Sequence, residues 1–171
     1  GKTLLKQMAS QAEHLKATKN LSLKICGLAN TKKMLINPNG ISIDNWHETL
    51  LAEGEKVNLS EFFEDMQALN LPNCVFIDST AEKDTCQYYY PLLNSNISIV
   101  TPNKVANSGT YEQYQSFRDI AKKRNVKFLY ETNVGAGLPI INTLQGLITS
   151  GDTIHKIEAV LSGTLSYIFN T

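Results

Sequence analysis

The sequence predicts an α/β protein with a doubly wound parallel sheet, and three observations carry that prediction. Short apolar runs alternate with longer stretches of helical period, the order expected of a βαβ chain. Most of the runs are apolar throughout, as strands covered on both faces are. Polar residues gather directly after successive runs, at the strand ends where such sheets bind ligands.

In chain order, residues 2–17 repeat Leu4, Leu5, Met8, Ala12 and Leu15 at helical spacing, with Lys6, Gln7, Glu13 and Lys16 between them. Leu21–Ala29 (LSLKICGLA) reads as a strand, and Asn37-Pro38-Asn39-Gly40 as a turn. A short helix is expected over Trp46–Leu51. A longer one is expected over Asn58–Leu69, capped by Asn58 or Ser60. Cys74–Ile77 predicts a short buried strand, Ala81–Leu93 a helix, and Ile97–Val100 the next buried strand. Thr110–Lys123 is amphipathic, with Tyr111, Tyr114, Phe117 and Ile120 on one face. Val126–Tyr130 is a further strand. Pro139 suits the first turn of a helix running to Thr149, where its missing N–H needs no partner. Finally, Ile154–Leu161 alternates like a strand with one face covered.

Composition narrows the function classes. At 171 residues the chain has the size of one domain, and 42% hydrophobic with 19% charged residues is ordinary for a protein with one core. Lys plus Arg and Asp plus Glu are both 16, so the chain lacks the basic footprint of a nucleic-acid or membrane-surface binder. No apolar run reaches the roughly 18–20 residues of a membrane span, and no secretory leader is read at the start. Cys26, Cys74 and Cys86 are odd in number and widely spaced, and two lie in apolar runs where a thiol packs as a small hydrophobe. A structural role in a reducing, cytoplasmic setting fits them better than metal or redox chemistry.

Four predicted strand ends carry polar sets: Asn30-Thr31-Lys32-Lys33, Asp78-Ser79-Thr80, Thr101-Pro102-Asn103-Lys104, and Glu131-Thr132-Asn133 before Val134-Gly135-Ala136-Gly137. Any one of these alone is ordinary turn chemistry; four on one rim describe a site. Gly1 before a helix is compatible with the last glycine of a dinucleotide turn, whose helix receives the pyrophosphate, but a lone glycine is weak evidence. No acid follows the first strand while Lys32 and Lys33 do. A dinucleotide bound there would be NADP in preference to NAD, unless the two lysines are merely solvated. Lys104, directly after a buried strand and held by Pro102, could orient a substrate, polarise a carbonyl or pass a proton. Pattern alone does not separate those roles from a surface lysine. Gly135 and Gly137 let the backbone fold tightly and turn carbonyls inward beside Glu131, which would suit a hard cation as well as a plain strand-to-helix turn.

IVTPNKVANS at 99–108, FLYETNVGAGLPIINTLQGLITSGD at 128–152 and VLSGTLSYIFN at 160–170 resemble homoserine dehydrogenase. CGLANTKKML at 26–35 followed by GISIDNW at 40–46 is similar to the dehydrogenase part of the bifunctional aspartokinase–homoserine dehydrogenases. The resemblance covers essentially the whole chain. It implies a Rossmann-like NAD(P)-binding domain over 1–152 and the beginning of a substrate and dimerisation domain over 153–171. It also implies a cytoplasmic enzyme of threonine and methionine synthesis, a homo-oligomer interconverting aspartate 4-semialdehyde and homoserine with NADPH or NADH. Residue by residue, it implies that Gly1, Asn30, Lys32, Ser79, Thr80 and Lys104 bind the cofactor. Lys104 would be one of two catalytic lysines. Main-chain carbonyls of Glu131, Val134, Ala136 and Leu138 would hold Na⁺ or K⁺, and Gly163 and Thr164 would begin the substrate site.

Two departures accompany the resemblance. The glycine-rich opening is present only as Gly1, so the sheet is expected to lack its first strand. The chain also ends before the segment that bears the second lysine and the remaining substrate ligands, so these 171 residues alone are expected not to turn over substrate. A non-catalytic dinucleotide-binding or regulatory module is the rival from another class. Another Rossmann-type dehydrogenase is the nearer rival, and SGTLSYIFN argues against it.

Overall fold

The structure, a computed structural model, describes residues 1–160 and 162–170. The chain divides into two compact units, Gly1–Pro72 and Asn73–Thr171.

The first unit holds helix α1 (Lys2–Lys19), strands β1 (Ile25–Ala29) and β2 (Lys33–Ile41), helix α2 (Trp46–Glu53), strand β3 (Glu55–Lys56) and helix α3 (Leu59–Ala68). The apolar stripe read on α1 is its half-buried face, and the helix stops where Asn20 turns left-handed at φ 51° and donates to the Leu15 carbonyl. Met34, Ile41, Leu50, Phe62, Phe63 and Met66 form this unit's buried core.

The strands of this unit pair antiparallel in the order β1-β2-β3. The expected turn at 37–40 lies inside β2. Ile25 pairs with Ile41 but Gly27 with Ile36, so residues 37–40 bulge out of the ladder. The turn chemistry is present locally. Asn39 donates its N–H to Asn37 Oδ1, Gly40 takes φ 98°, and Pro38, which cannot donate, sits where no ladder bond is needed. The bulge interrupts the period of the strand, which is why the sequence read as a turn.

The second unit is a βαβαβ run. Strands β4 (Val75–Ile77), β5 (Ser98–Val100) and β6 (Phe128–Leu129) are parallel and lie side by side in chain order. Helices α4 (Lys83–Cys86) and α5 (Tyr89–Asn94) connect the first pair, and α6 (Tyr111–Arg124) connects the second. The single helix expected over 81–93 is broken because Pro91 lacks an N–H and its ring would strike the carbonyl of Gln87. Phe76, Ile99 and Phe128 are in register on one sheet face. Tyr89 of α5 lies against Phe76, Phe128 and Phe117 of α6, with ring centroids 6.4, 5.9 and 5.8 Å away. Leu92, Leu93, Ile99 and Ile120 complete this core. Val75, Ile77, Val100 and Leu129, on the opposite face, are exposed.

The α/β class and the parallel sheet are therefore as expected, but the strands form two three-stranded sheets and β1 belongs to an antiparallel one. After β6 come α7 (Ile140–Thr149), with Pro139 one position before it, and α8 (Gly163–Asn170). No strand forms over the described part of 154–161. Residues 155–160 are exposed and form no ladder with another strand among the described residues, and alternation without a partner strand does not hold an extended chain in place. Leu161 lies outside the described residues.

Candidate functional site

The ends of β4, β5 and β6 share one rim. The ladder runs one residue beyond the strands, with Asp78 N–H on the Val100 carbonyl (3.1 Å) and Thr101 N–H on the Leu129 carbonyl (2.9 Å). There the side chains turn polar and stay buried: Asp78 is 1% exposed, Tyr89 0%, Thr101 1% and Asn103 2%. Tyr89 donates its hydroxyl to Asp78 Oδ2 (2.6 Å), and Asn103 Nδ2 donates to the same oxygen (3.0 Å) and to the Glu82 carbonyl (2.9 Å). Asp78 Oδ1 accepts the Thr80 N–H (2.8 Å). Thr101 Oγ1 accepts the Asn103 N–H (2.9 Å) and lies 3.0 Å from the Tyr89 hydroxyl.

Above this layer the candidate ligand-binding side chains face outward. Ser79, Thr80 and Lys104 are exposed. Thr80 Oγ1 accepts the Glu82 N–H (3.2 Å), which leaves its own proton free to be donated. Lys104 donates no side-chain hydrogen bond among the described residues, so its ammonium is available. Just past it, the Asn107 amide is shielded and has no partner among the described residues.

At the end of β6, Glu131 closes the N-terminus of α7. Its carboxylate accepts the N–H groups of Ile141 (2.8 Å) and Asn142 (2.9 Å), and its carbonyl accepts the Val134 N–H (3.4 Å). Gly135 (φ 70°) and Ala136 (φ 53°) fold the following loop tightly, and Asn133, in the same segment, has a shielded amide with no partner. The Val134 and Ala136 carbonyls accept no backbone hydrogen bond among the described residues, whereas that of Leu138 accepts from Ile140 N (2.9 Å). The Val134 and Ala136 carbonyls are therefore the oxygens of this loop left open to a cation, and among the described residues no three His, Cys, Asp or Glu come together as a side-chain metal cluster. A cleft of about 260 Å³ opens between the β5 and β6 ends and α7, lined by Thr101, Tyr130, Glu131, Asn142 and Gln145 among others.

Burial, then the Asp78 hydrogen bond, pushes the Tyr89 hydroxyl far above its ordinary value. Burial and the bond to Tyr114 push Tyr130 up to about 12, against the opposing Arg118 guanidinium. An unfolded chain would ionise both near pH 10, so above that pH protons leave the unfolded state first. Their contribution to stability is complete below about pH 10 and falls as pH rises toward about 12. The melting temperature should therefore decline across that window, and less steeply in Tyr89→Phe; a flat profile to about pH 11.5 would contradict the linkage.

Gly1, Asn30 and Lys32 belong to the first unit, so the rim of the second gathers three strand ends and not four. Gly1 is exposed and its carbonyl accepts the Leu5 N–H (3.1 Å). Asn30 closes the tight hairpin from β1 to β2, its Oδ1 accepting the N–H groups of Lys32 (2.7 Å) and Lys33 (2.8 Å). The two lysines then part. Lys32 is exposed, whereas the Lys33 ammonium donates to the Leu51 carbonyl in the last turn of α2. Gly163 and Thr164 open α8 and are exposed, with no hydrogen bond to the rim. Sequence reasoning did not single out Tyr89 within the expected 81–93 helix, and named Asp78 and Asn103 only as members of the polar sets at the strand ends. The signal was available in Asp-x-Thr and Thr-x-Asn directly after buried strands, where short polar side chains brace loops.

Comparison with known proteins places this geometry. The family described as homoserine dehydrogenase, NAD binding domain, matches residues 1–131, and the homoserine dehydrogenase family matches residues 139–171. The bifunctional aspartokinase/homoserine dehydrogenase 1 of Arabidopsis thaliana is 44% identical over 171 residues, which is 99% of this chain and 19% of that protein. The homoserine dehydrogenase of Schizosaccharomyces pombe is 33% identical over 99% of this chain and 46% of its own length. A hyperthermophilic archaeal homoserine dehydrogenase in complex with NADPH superposes with a TM-score of 0.66 at 22% identity, over 84% of this chain and 44% of that one, a likeness of fold. The chain thus spans about a fifth of its plant relatives and under half of the shorter one. Among the described residues, no helix is long and apolar enough to cross a membrane. With its NAD-binding domain family matched over 131 residues, this chain belongs to the homoserine dehydrogenases.

Proposed function

We propose that the polypeptide carrying this sequence interconverts aspartate 4-semialdehyde and homoserine by hydride transfer with NADPH, and that Lys104 acts at the reacting carbonyl. The observation that supports this most directly is Lys104 itself: an ammonium with no partner among the described residues, in the loop after β5, the strand next to β4, whose end carries the exposed Thr80. Ser79 and Thr80 offer hydroxyls to the cofactor, and Thr80 keeps a proton to donate. NADPH supplies the hydride when bound. Lys104 directs its ammonium at the aldehyde oxygen, draws charge onto it and hands it a proton, and in the reverse direction takes that proton back. The assay is NADPH oxidation with aspartate 4-semialdehyde and NADP reduction with homoserine. Cofactor binding without turnover would favour the non-catalytic module.

The same reading assigns residues 1–152 to cofactor binding and 153–171, including Gly163 and Thr164, to the opening of a substrate and dimerisation domain in a homo-oligomer. Gly1 at the head of α1 and Asn30 at its hairpin join Lys32 on the cofactor. The carbonyls of Glu131, Val134, Ala136 and Leu138 hold a monovalent cation, Na⁺ or K⁺, with the orphan Asn133 amide as a further oxygen or a water anchor. The setting is cytoplasmic, a reducing compartment in which Cys26, Cys74 and Cys86 stay outside disulfides.

Cofactor choice tests the first unit separately. Lys32→Ala should lower kcat/KM for NADPH about tenfold, the lower end of a charge-assisted contact, and leave NADH nearly unchanged. Lys33→Ala should change stability and not selectivity, because that ammonium already serves the Leu51 carbonyl. Preference for NADH in the unaltered polypeptide would count against the NADP assignment.

A further inference from the structure

We propose that Asp78, Tyr89 and Asn103 are positioning residues, a buried hydrogen-bonded bolt that sets the loops bearing Thr80 and Lys104 relative to one another. The inference rests on the dehydrogenase reading above and extends it to residues that touch neither cofactor nor substrate.

Asp78 divides its two oxygens between the loops. Oδ1 takes the N–H of Thr80, and Oδ2 takes Tyr89 and Asn103, so one carboxylate at the end of β4 holds its own loop and the one after β5. Asn103 immediately precedes Lys104 and is satisfied on every side. Its amide nitrogen spans Asp78 and Glu82, its Oδ1 accepts the Val105 N–H (3.0 Å), and its backbone N–H goes to Thr101. The N–H groups on both sides of Lys104 are thereby fixed, and little beyond the lysine stem is left to move. Tyr89 closes the bolt from below through a ring already packed on three aromatic neighbours.

Stability alone does not call for such a device, since apolar residues of similar volume can fill a core as well as or better than a buried charged network. What a fully satisfied polar network adds is one defined geometry. Two loops at the mouth of a site are where that geometry has a use, because displacement of a reacting group by about 1 Å can cost a hundredfold in rate.

The test uses the native polypeptide, assayed well below its melting temperature for kcat, KM for aspartate 4-semialdehyde, and NADPH Kd by fluorescence. Asn103→Ala should lower kcat at least about tenfold and leave NADPH Kd within about threefold, because the Thr80 tether on Oδ1 survives. Asp78→Asn should lower kcat and also raise NADPH Kd, since an amide cannot accept on both sides. Tyr89→Phe keeps the ring packing and should give a smaller kcat loss with Kd unchanged; it carries the test if Asn103→Ala does not fold. Ile120→Val and Ile120→Ala, at a buried apolar side chain of α6 that takes no part in the hydrogen bonds of the network, should bracket the loss of melting temperature without lowering kcat. Activity that tracks melting temperature alike in all variants would overturn the proposal. So would wild-type kcat in Asn103→Ala. A wild-type polypeptide that binds NADPH yet reduces no aspartate 4-semialdehyde would instead overturn the dehydrogenase reading, and this placement with it.

Discussion

Lys104→Ala should lower kcat of the native polypeptide by about two to three orders of magnitude, within the range general acid–base groups contribute. NADPH Kd should change by less than about threefold, since a contact made mainly in the transition state appears in kcat and not in ground-state binding. Lys104→Arg should restore little. The guanidinium keeps the charge but is planar, bulkier and unable to release a proton near neutral pH. Because the ammonium has no partner among the described residues and the residue is exposed, removing it leaves no buried group unsatisfied, and the melting temperature should hold. That combination, lost turnover with an intact fold and intact cofactor binding, separates a catalytic lysine from a solvated one. Full activity in Lys104→Ala would return it to the surface.

Gly135→Val should abolish activation by Na⁺ or K⁺ and destabilise the loop. A Cβ at position 135 would overlap Ile140 Cδ1, the end of a side chain that can rotate away, and lie 3.2 Å from Ile140 Cγ1, in a backbone held at φ 70° that strains any L-residue. The left-handed conformation alone costs an L-residue about 1–2 kcal/mol, more for a β-branched one, and the overlap with the first residue of α7 adds to it. The loop must then reroute, and the carbonyls of Val134 and Ala136 lose their arrangement. Gly137→Ala is the control. Among the described residues nothing lies within 4 Å of its Cβ position, so of the two glycines read as folding the loop tightly, space and φ single out Gly135. Ala136→Gly, at φ 53°, should keep the cation response and add up to about 1 kcal/mol of stability by relieving strain, less the entropy glycine returns to the unfolded chain. Activity titrated with Na⁺ or K⁺ against a bulky organic cation reads the effect. No cation dependence in the wild type would remove the seat altogether.

Elements whose signals are local were legible in the sequence. The stripe of α1, the amphipathic face of α6 and the apolar runs of β4 and β5 needed only spacing and side-chain chemistry to be found. So did the candidate residues at the strand ends, because polar side chains after apolar runs mark that rim whatever packs around it. Partnership was decided by the tertiary structure. The run 33–41 is a strand because β1 and β3 pair with it, its bulge absorbing Asn37-Pro38-Asn39-Gly40. The run 154–160 is not, because nothing pairs with it. Lys32 and Lys33 are adjacent in sequence and alike in chemistry. Only the approach of the α2 carboxyl end consumes one and leaves the other free. Asp78, Tyr89 and Asn103 lie far apart along the chain, and their hydrogen bonds exist only because parallel pairing brings the ends of β4 and β5 together over the Tyr89 ring. Spacing along a chain can report what a residue is able to do; which group it meets depends on contacts between distant segments, and folding alone creates those.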